Sequence, residues 1–179
     1  MSRLPYQQPD EIAAFAELLA SEGVRSFLEI GSKFGDTLNV VAGALPVGSK
    51  IVSIDLDRNG TDLSKTISDL VSRGYDARLI QGDSRKPDTV EKAKQHGPFD
   101  AVFIDGDHRL AGVTDDWNNY GPMCRIVAFH DVAWSRDPKV GKRIEVPLLW
   151  DAIKEQYRHV EFKMCPTGNN YGIGVLWTA

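Results

Sequence analysis

Two short stretches of this chain carry side chains suited to catalysis, and each follows an apolar run. Val102-Phe103-Ile104 stops at Asp105-Gly106-Asp107-His108, and Val127-Ala128-Phe129 stops at His130-Asp131. Two or three carboxylates brought together suit Mg2+, which takes oxygen ligands and keeps part of its water. The histidines titrate near neutrality, so either can accept a proton from a reacting group. His108 also fits a hydrogen-bonded loop histidine, and Asp107 a cap ahead of Arg109. His96 and His159 sit in polar stretches and read as exposed.

Three earlier apolar runs end in the same way, at Glu29-Ile30-Gly31, at Asp55 and at Gly82-Asp83. The five ends, at 31, 55, 83, 105 and 131, lie 22 to 28 residues apart, which fits a strand, a helix and two loops each time. Short β-rich runs alternating with helical stretches read as βαβ units and a parallel sheet. Right-handed crossovers then put every carboxyl end on one edge, where open α/β sheets bind ligands. The acids should therefore gather at one site. In the first loop, Glu29-Ile30-Gly31-Ser32-Lys33-Phe34-Gly35-Asp36-Thr37, two glycines permit a sharp turn and close approach to a ligand. The dinucleotide fingerprint G-x-G-x-x-G is missing, because Lys33 and Phe34 interrupt it. Asp36 at the helix start would also repel a pyrophosphate.

The elements that must position these residues follow from patterning. Pro9-Asp10-Glu11 opens a helix whose Ile12, Phe15, Ala16 and Leu19 share one face. Strands are expected at 26–30, 50–55, 77–80, 99–105 and 126–131. The intervening helices are expected at 36–45, around Leu63, Ile67, Leu70 and Val71, near 88–95, and at 110–120 with Val113 and Trp117 on one side. Leu148, Leu149, Ala152 and Ile153 mark a last helix. The runs 160–165 and 171–177, joined by Pro166-Thr167-Gly168-Asn169-Asn170, read as an antiparallel hairpin. Residues 133–145 hold no clear element and read as an active-site loop. Trp134 and Trp150 could floor a pocket, and Trp150 equally fits the core.

The 179 residues, 42% of them hydrophobic, suit a single domain with a full core. A net charge of -4 argues against general nucleic-acid binding. Arg136, Lys139, Lys142 and Arg143 form one local basic cluster, a solvated loop or a mouth for an anionic substrate. Cys124 and Cys165 are too few for a disulfide framework and read as reduced thiols of a cytoplasmic protein. No stretch reaches the ~20 apolar residues that span a bilayer, and the first residues lack a signal-peptide core.

Leu28-Glu29-Ile30-Gly31 with Gly35, Asp55 and Gly82-Asp83 resembles class I S-adenosylmethionine-dependent methyltransferases over nearly the whole chain. Phe99 to His108, Phe129-His130-Asp131-Val132, Val146 to Trp150 and Gly172 to Leu176 resemble the small-molecule O-methyltransferase group containing cephalosporin-hydroxylase-like and macrolide-sugar O-methyltransferases. The resemblance implies a Rossmann-like three-layer α/β sandwich with a seven-stranded, mostly parallel sheet and an antiparallel C-terminal hairpin. It implies S-adenosylmethionine at Gly31, Gly35 and Thr37, with Glu29 ordering the loop. Asp55 would bind the ribose hydroxyls, Asp83 and Ser84 the adenine, and Asp105 would border the cofactor. A divalent metal would sit on Asp105, His130 and Asp131, where similar catechol-type enzymes carry their metal acids. His130 falls where those enzymes offer an oxygen, which admits Mn2+, Fe2+ or Zn2+ beside Mg2+. His108 falls where they carry a catalytic lysine, so His108 or His130 would take the proton.

The implied reaction is methyl transfer to a small-molecule hydroxyl, with no nucleic-acid or membrane partner and room for a second subunit. A metal-independent enzyme using His130 and Asp131 as an acid–base pair stays open. An NAD-binding oxidoreductase domain is disfavoured by the missing glycine and the terminal hairpin.

Overall fold

The computed structural model describes residues 8–56, 61–135, 144–163 and 171–179. The chain alternates strand and helix as the apolar runs require. The elements are α1 (Pro9–Ser21), β1 (Ser26–Ile30), α2 (Asp36–Ala44), β2 (Lys50–Asp55), α3 (Thr61–Ser72), β3 (Asp76–Gln81) and α4 (Pro87–His96). After them come β4 (Phe99–Ile104), α5 (Leu110–Tyr120), β5 (Cys124–His130), α6 (Val146–Ile153), β6 (Arg158–Phe162) and β7 (Ile173–Trp177). Seven strands form one sheet in the order β3-β2-β1-β4-β5-β7-β6. The first five are parallel, and β7 runs antiparallel to both β5 and β6.

The sheet is buried on both faces, which is why its strands read as continuous apolar runs. Phe27 and Phe103 face the layer of α1, α2 and α3, where Phe15, Leu19, Leu38 and Val41 are buried. Leu28, Ile30, Val102 and Ile104 face the opposite layer, with Val113, Tyr120 and Trp150. Each such side chain contributes about 1.5–3 kcal/mol of burial free energy. Glu29 and His130 fall on the first face by the same two-residue alternation, and both are buried there.

Several expectations shift at the C-terminal side. β6 occupies 158–162, not 160–165, and residues 164–170, with Cys165 and the predicted turn, lie outside the described residues. Trp150 sends its indole N–H to Glu161 on β6, which anchors the earlier register. On α6 the buried face is Val146, Leu149 and Trp150, while Leu148 is 49% exposed. On α3, Val71 is likewise exposed. His96 and His159, expected in solvent, are half-buried, and His159 stands edge-on to Trp150. The basic cluster Arg136, Lys139, Lys142 and Arg143 also lies outside the described residues.

The chain runs outward from β1 to β3, then returns to place β4 on the other side of β1. That reversal opens a crevice at the carboxyl ends of β1 and β4. Three backbone bonds carry the strand register one residue further there: Gly31 N–H to Ile54 O, Gly82 N–H to Asp55 O, and Asp105 N–H to Ile30 O, each 2.9 Å.

Candidate functional site

Gly31 makes the crevice possible. Its φ is +87°, and a Cβ on it would overlap the carbonyl oxygen of Asp105. The loops after β1 and β4 therefore touch at a position that only glycine fits. Lys33, also left-handed at φ 53°, turns its N–H onto Asp55 Oδ2 at 2.8 Å. Asp55 is thereby fixed at the tip of β2, and a carboxylate retains acceptor capacity for hydroxyls beyond one such bond. Gly35 serves a different contact: its missing Cβ makes room for Thr66 of α3, and it lines neither cavity described below.

Glu29 lies beneath this loop, 1% exposed. Burial pushes its carboxyl up to about 8, Ser32 and Thr37 pull it down in part, and the Asp105 and Asp55 charges add to the rise. The neutral form of Glu29 is therefore favoured near neutral pH, against Ser32 and Thr37 of the loop above it.

A cavity of about 610 Å³ runs over the first three strand ends. Asp55, Asp83, Ser84, Arg85, Asp107 and His108 are among its lining residues, together with Gly31 and Lys33. The volume falls within the ~300–1,000 Å³ of small-molecule sites. Arg85 grips both oxygens of Asp83 at 2.9 and 2.8 Å, which holds that carboxyl down at about 2. Arg109 similarly holds Asp107 below the usual range, and Arg85 also reaches it at 3.6 Å, so Asp107 belongs to a turn in front of α5 on the Asp83 side of the crevice. Tyr120 donates to the Ser84 carbonyl at 2.7 Å and ties the β3 loop to α5.

A second cavity, about 240 Å³, shares Gly31, Lys33 and His108 with the first. Asp105, His130, Asp131, Thr37, Phe34 and Tyr171 are among its other lining residues. Asp131 is 2% exposed and left-handed at φ 62°, unusual for a residue with a side chain and a frequent mark of functional sites. Its Oδ2 lies 2.8 Å from His108 Nδ1. Its Oδ1 and Asp105 Oδ1 each lie 3.2 Å from His130 Nδ1. Neither ring nitrogen of the buried His130 meets hydrogen-bond geometry with a protein partner.

Electrostatics bind the four together. Burial drives His130 down, yet the Asp105 and Asp131 carboxylates outweigh it and raise its pKa well above 6.5. The Asp131 contact raises His108, against burial. Burial would raise Asp131, but the two imidazoles bring it to about 2. The donor set fits a divalent ion, since ligand atoms of Asp105, His108 and Asp131 lie within 4.8 Å of one another and His130 is unsatisfied beside them. The larger cavity fits an adenosyl cofactor, since Asp55 and Asp83 line it as acceptors and Gly31 allows close backbone approach.

Two residues went unread in the sequence. Tyr171 stacks on His130 (ring centroids 5.7 Å, 21° between planes) and packs against Trp134. Glu145 accepts from Leu110 N–H at 2.8 Å and donates its own N–H to the His108 carbonyl at 2.7 Å, strapping the start of α6 over the β4 loop. Tyr171 reads as the start of a strand and Glu145 as a loop acid, so neither carries a local signal.

A crevice at this switch point, under a sheet closed by a reversed strand pair, defines a Rossmann-like methyltransferase domain. Solved structures share that fold. An O-methyltransferase from Bacillus cereus in complex with SAH matches with a TM-score of 0.69 at 18% identity, over 97% of this chain and 84% of that one. An O-methyltransferase from Streptomyces achromogenes involved in tomaymycin synthesis, in complex with SAM, matches with a TM-score of 0.71 at 18% identity, over 97% and 82%. The chain belongs to the O-methyltransferase family, whose model matches residues 5–135. A caffeoyl-CoA O-methyltransferase of Petroselinum crispum is 30% identical over 105 residues, 58% of this chain and 41% of that protein. One from Nicotiana tabacum is 26% identical over 113 residues, 62% of this chain and 44% of the relative. The chain thus matches under half the length of these curated relatives. Among the described residues, no helix is long and apolar enough to cross a membrane.

Proposed function

We propose that this protein is an S-adenosylmethionine-dependent O-methyltransferase acting on a hydroxyl of a small molecule, a sugar, phenol or other natural product, with a divalent ion on Asp105, His130 and Asp131. The observation that carries this reading is the junction of the two cavities at Gly31, Lys33 and His108. One cavity offers acceptors for a nucleoside, and the other offers the buried Asp131 and His130 beside the half-buried Asp105 and His108.

When bound, the cofactor supplies a methyl carbon on a positively charged sulfur, and the ion supplies a Lewis acid that lowers the acceptor's pKa. Asp55 receives the ribose hydroxyls, and Asp83 with Ser84 receives the adenine edge. Gly31 and Thr37 border the amino-acid end. His108, oriented through Nδ1 by Asp131, turns Nε2 toward the acceptor and takes its proton. Tyr171 and Phe34 wall the smaller cavity and align the acceptor, so the chain contributes mainly positioning. The buried free thiol of Cys124 supports a reducing, cytoplasmic setting.

One observation favours a metal-independent version: two imidazoles already stand against two carboxylates at 2.8 and 3.2 Å. Calorimetry with S-adenosylhomocysteine and with NAD, followed by methyl-transfer assays on hydroxylated small molecules with and without EDTA, tests both versions. Binding of S-adenosylhomocysteine but not NAD, with EDTA-sensitive turnover, is expected. NAD binding alone would refute the methyltransferase. Turnover indifferent to EDTA would refute only the metal.

A further inference from the structure

We infer that the acid–imidazole end of the site selects a transition ion of the Mn2+, Fe2+ or Zn2+ kind over Mg2+, with His130 as a nitrogen ligand. This rests on the metal-assisted reading above and goes beyond it in naming the ion class.

His130 is 5% exposed, lines the smaller cavity, and has no hydrogen-bond partner for either ring nitrogen. Buried polar atoms in folded proteins are almost always satisfied, so an orphaned imidazole facing a cavity points to a missing partner. The geometry identifies what kind. Nδ1 lies 3.2 Å from one oxygen of Asp105 and 3.2 Å from one oxygen of Asp131. Two donors held at about 2.1 Å from a shared ion, at tetrahedral or octahedral angles, sit about 3.0–3.4 Å apart. His130 Nδ1 already stands at the spacing of a neighbouring ligand from an oxygen of each acid.

The ring is also held in place. Phe103 meets it edge-on at 6.1 Å, and Tyr171 stacks on it at 5.7 Å. His130 is therefore packed between two aromatic rings where it lines the cavity. Mg2+ favours an all-oxygen shell, whereas Mn2+, Fe2+ and Zn2+ accept imidazole with carboxylates. His108, 2.8 Å from the other oxygen of Asp131, orients that carboxylate from outside.

The test uses the full chain stripped with a chelator. Equilibrium dialysis against MnCl2, ZnCl2 and MgCl2 gives relative affinities, and pulsed electron paramagnetic resonance of the Mn2+-loaded protein reads nitrogen coordination directly. Mn2+ or Zn2+ should bind at least about 100-fold more tightly than Mg2+, with a 14N modulation in the Mn2+ signal. His130→Asp should narrow that gap at least about tenfold and abolish the modulation, while His108→Gln should retain it. If the His130 variant does not fold, the His108→Gln spectrum decides, since any nitrogen modulation it keeps cannot come from His108. Mg2+ binding as tightly as Mn2+, or bound Mn2+ without nitrogen modulation, would overturn the inference and leave a metal-assisted enzyme standing. Failure to bind any ion would instead overturn the metal reading, and the inference with it.

Discussion

The two halves of the crevice treat their charges differently. Over β1 to β3, Asp55 and Asp83 stay partly in solvent, and each has a ready donor in the Lys33 N–H or the Arg85 guanidinium. Over β4 and β5, Asp131 and His130 are withdrawn from water and face one another, Asp105 and His108. Solvent-facing carboxylates can exchange water for ligand hydroxyls at little cost. Withdrawn charges interact far more strongly, because the local dielectric is low, and that environment suits an ion or a moving proton. In the proposed enzyme the same device, an acid at a strand end, would serve recognition in one half and chemistry in the other.

Substitutions that respect this division should separate binding from turnover. The largest effect belongs to Asp131→Asn, which removes the charge facing both histidines. It should lower kcat by about 10²–10⁴-fold while S-adenosylhomocysteine binding changes little, and an unchanged kcat would contradict the division. Asp55→Ala should do the reverse. Calorimetry should show cofactor affinity about 10- to 100-fold weaker, from lost charge-assisted hydrogen bonds, and a normal affinity would remove Asp55 from the binding half.

Glu29 blurs the boundary, being a buried acid beneath the binding half. Its carboxyl is pushed to about 8, against an ordinary 4.5. Between those values the folded state keeps a proton that the unfolded chain releases. Stability should therefore fall as pH rises through that window, by at most about 1.4 kcal/mol per pH unit. Glu29→Gln should flatten this slope in urea titrations at pH 5.5 and 7.5, and equal slopes in the two proteins would refute it. The smallest effect belongs to Arg85→Ala. Its ion pair with Asp83 is partly exposed, so stability should change by less than about 1 kcal/mol. By NMR titration the Asp83 carboxyl should climb from about 2 toward its ordinary 3.8, and a carboxyl still near 2 would rule Arg85 out as the cause.

The strand ends were legible because burial on both faces forces continuous apolar runs, and those runs stop where the chain meets solvent. That fixed β1 at 26–30 and placed Asp105 beside His130-Asp131. The helical face of α6 was less legible: Leu148 and Leu149 are both apolar, and only packing against β5 and α5 decides which is inside. Partner choice within the site was not legible either. Arg85 on Asp83, Tyr171 on His130 and Glu145 over His108 join residues through turns and long-range contacts that no periodicity encodes. The left-handed backbone at Lys33 and Asp131 was hidden for the same reason, since neither is glycine.

The central claim is that one crevice holds the cofactor over β1 to β3 and leaves β4 and β5 for chemistry. Amide chemical-shift mapping during titration with S-adenosylhomocysteine tests it most directly. The account predicts shifts concentrated at residues 31–37, 55–56, 82–85 and 105–108, with little change along β6. Shifts confined to other surfaces, or none at saturating ligand, would contradict it.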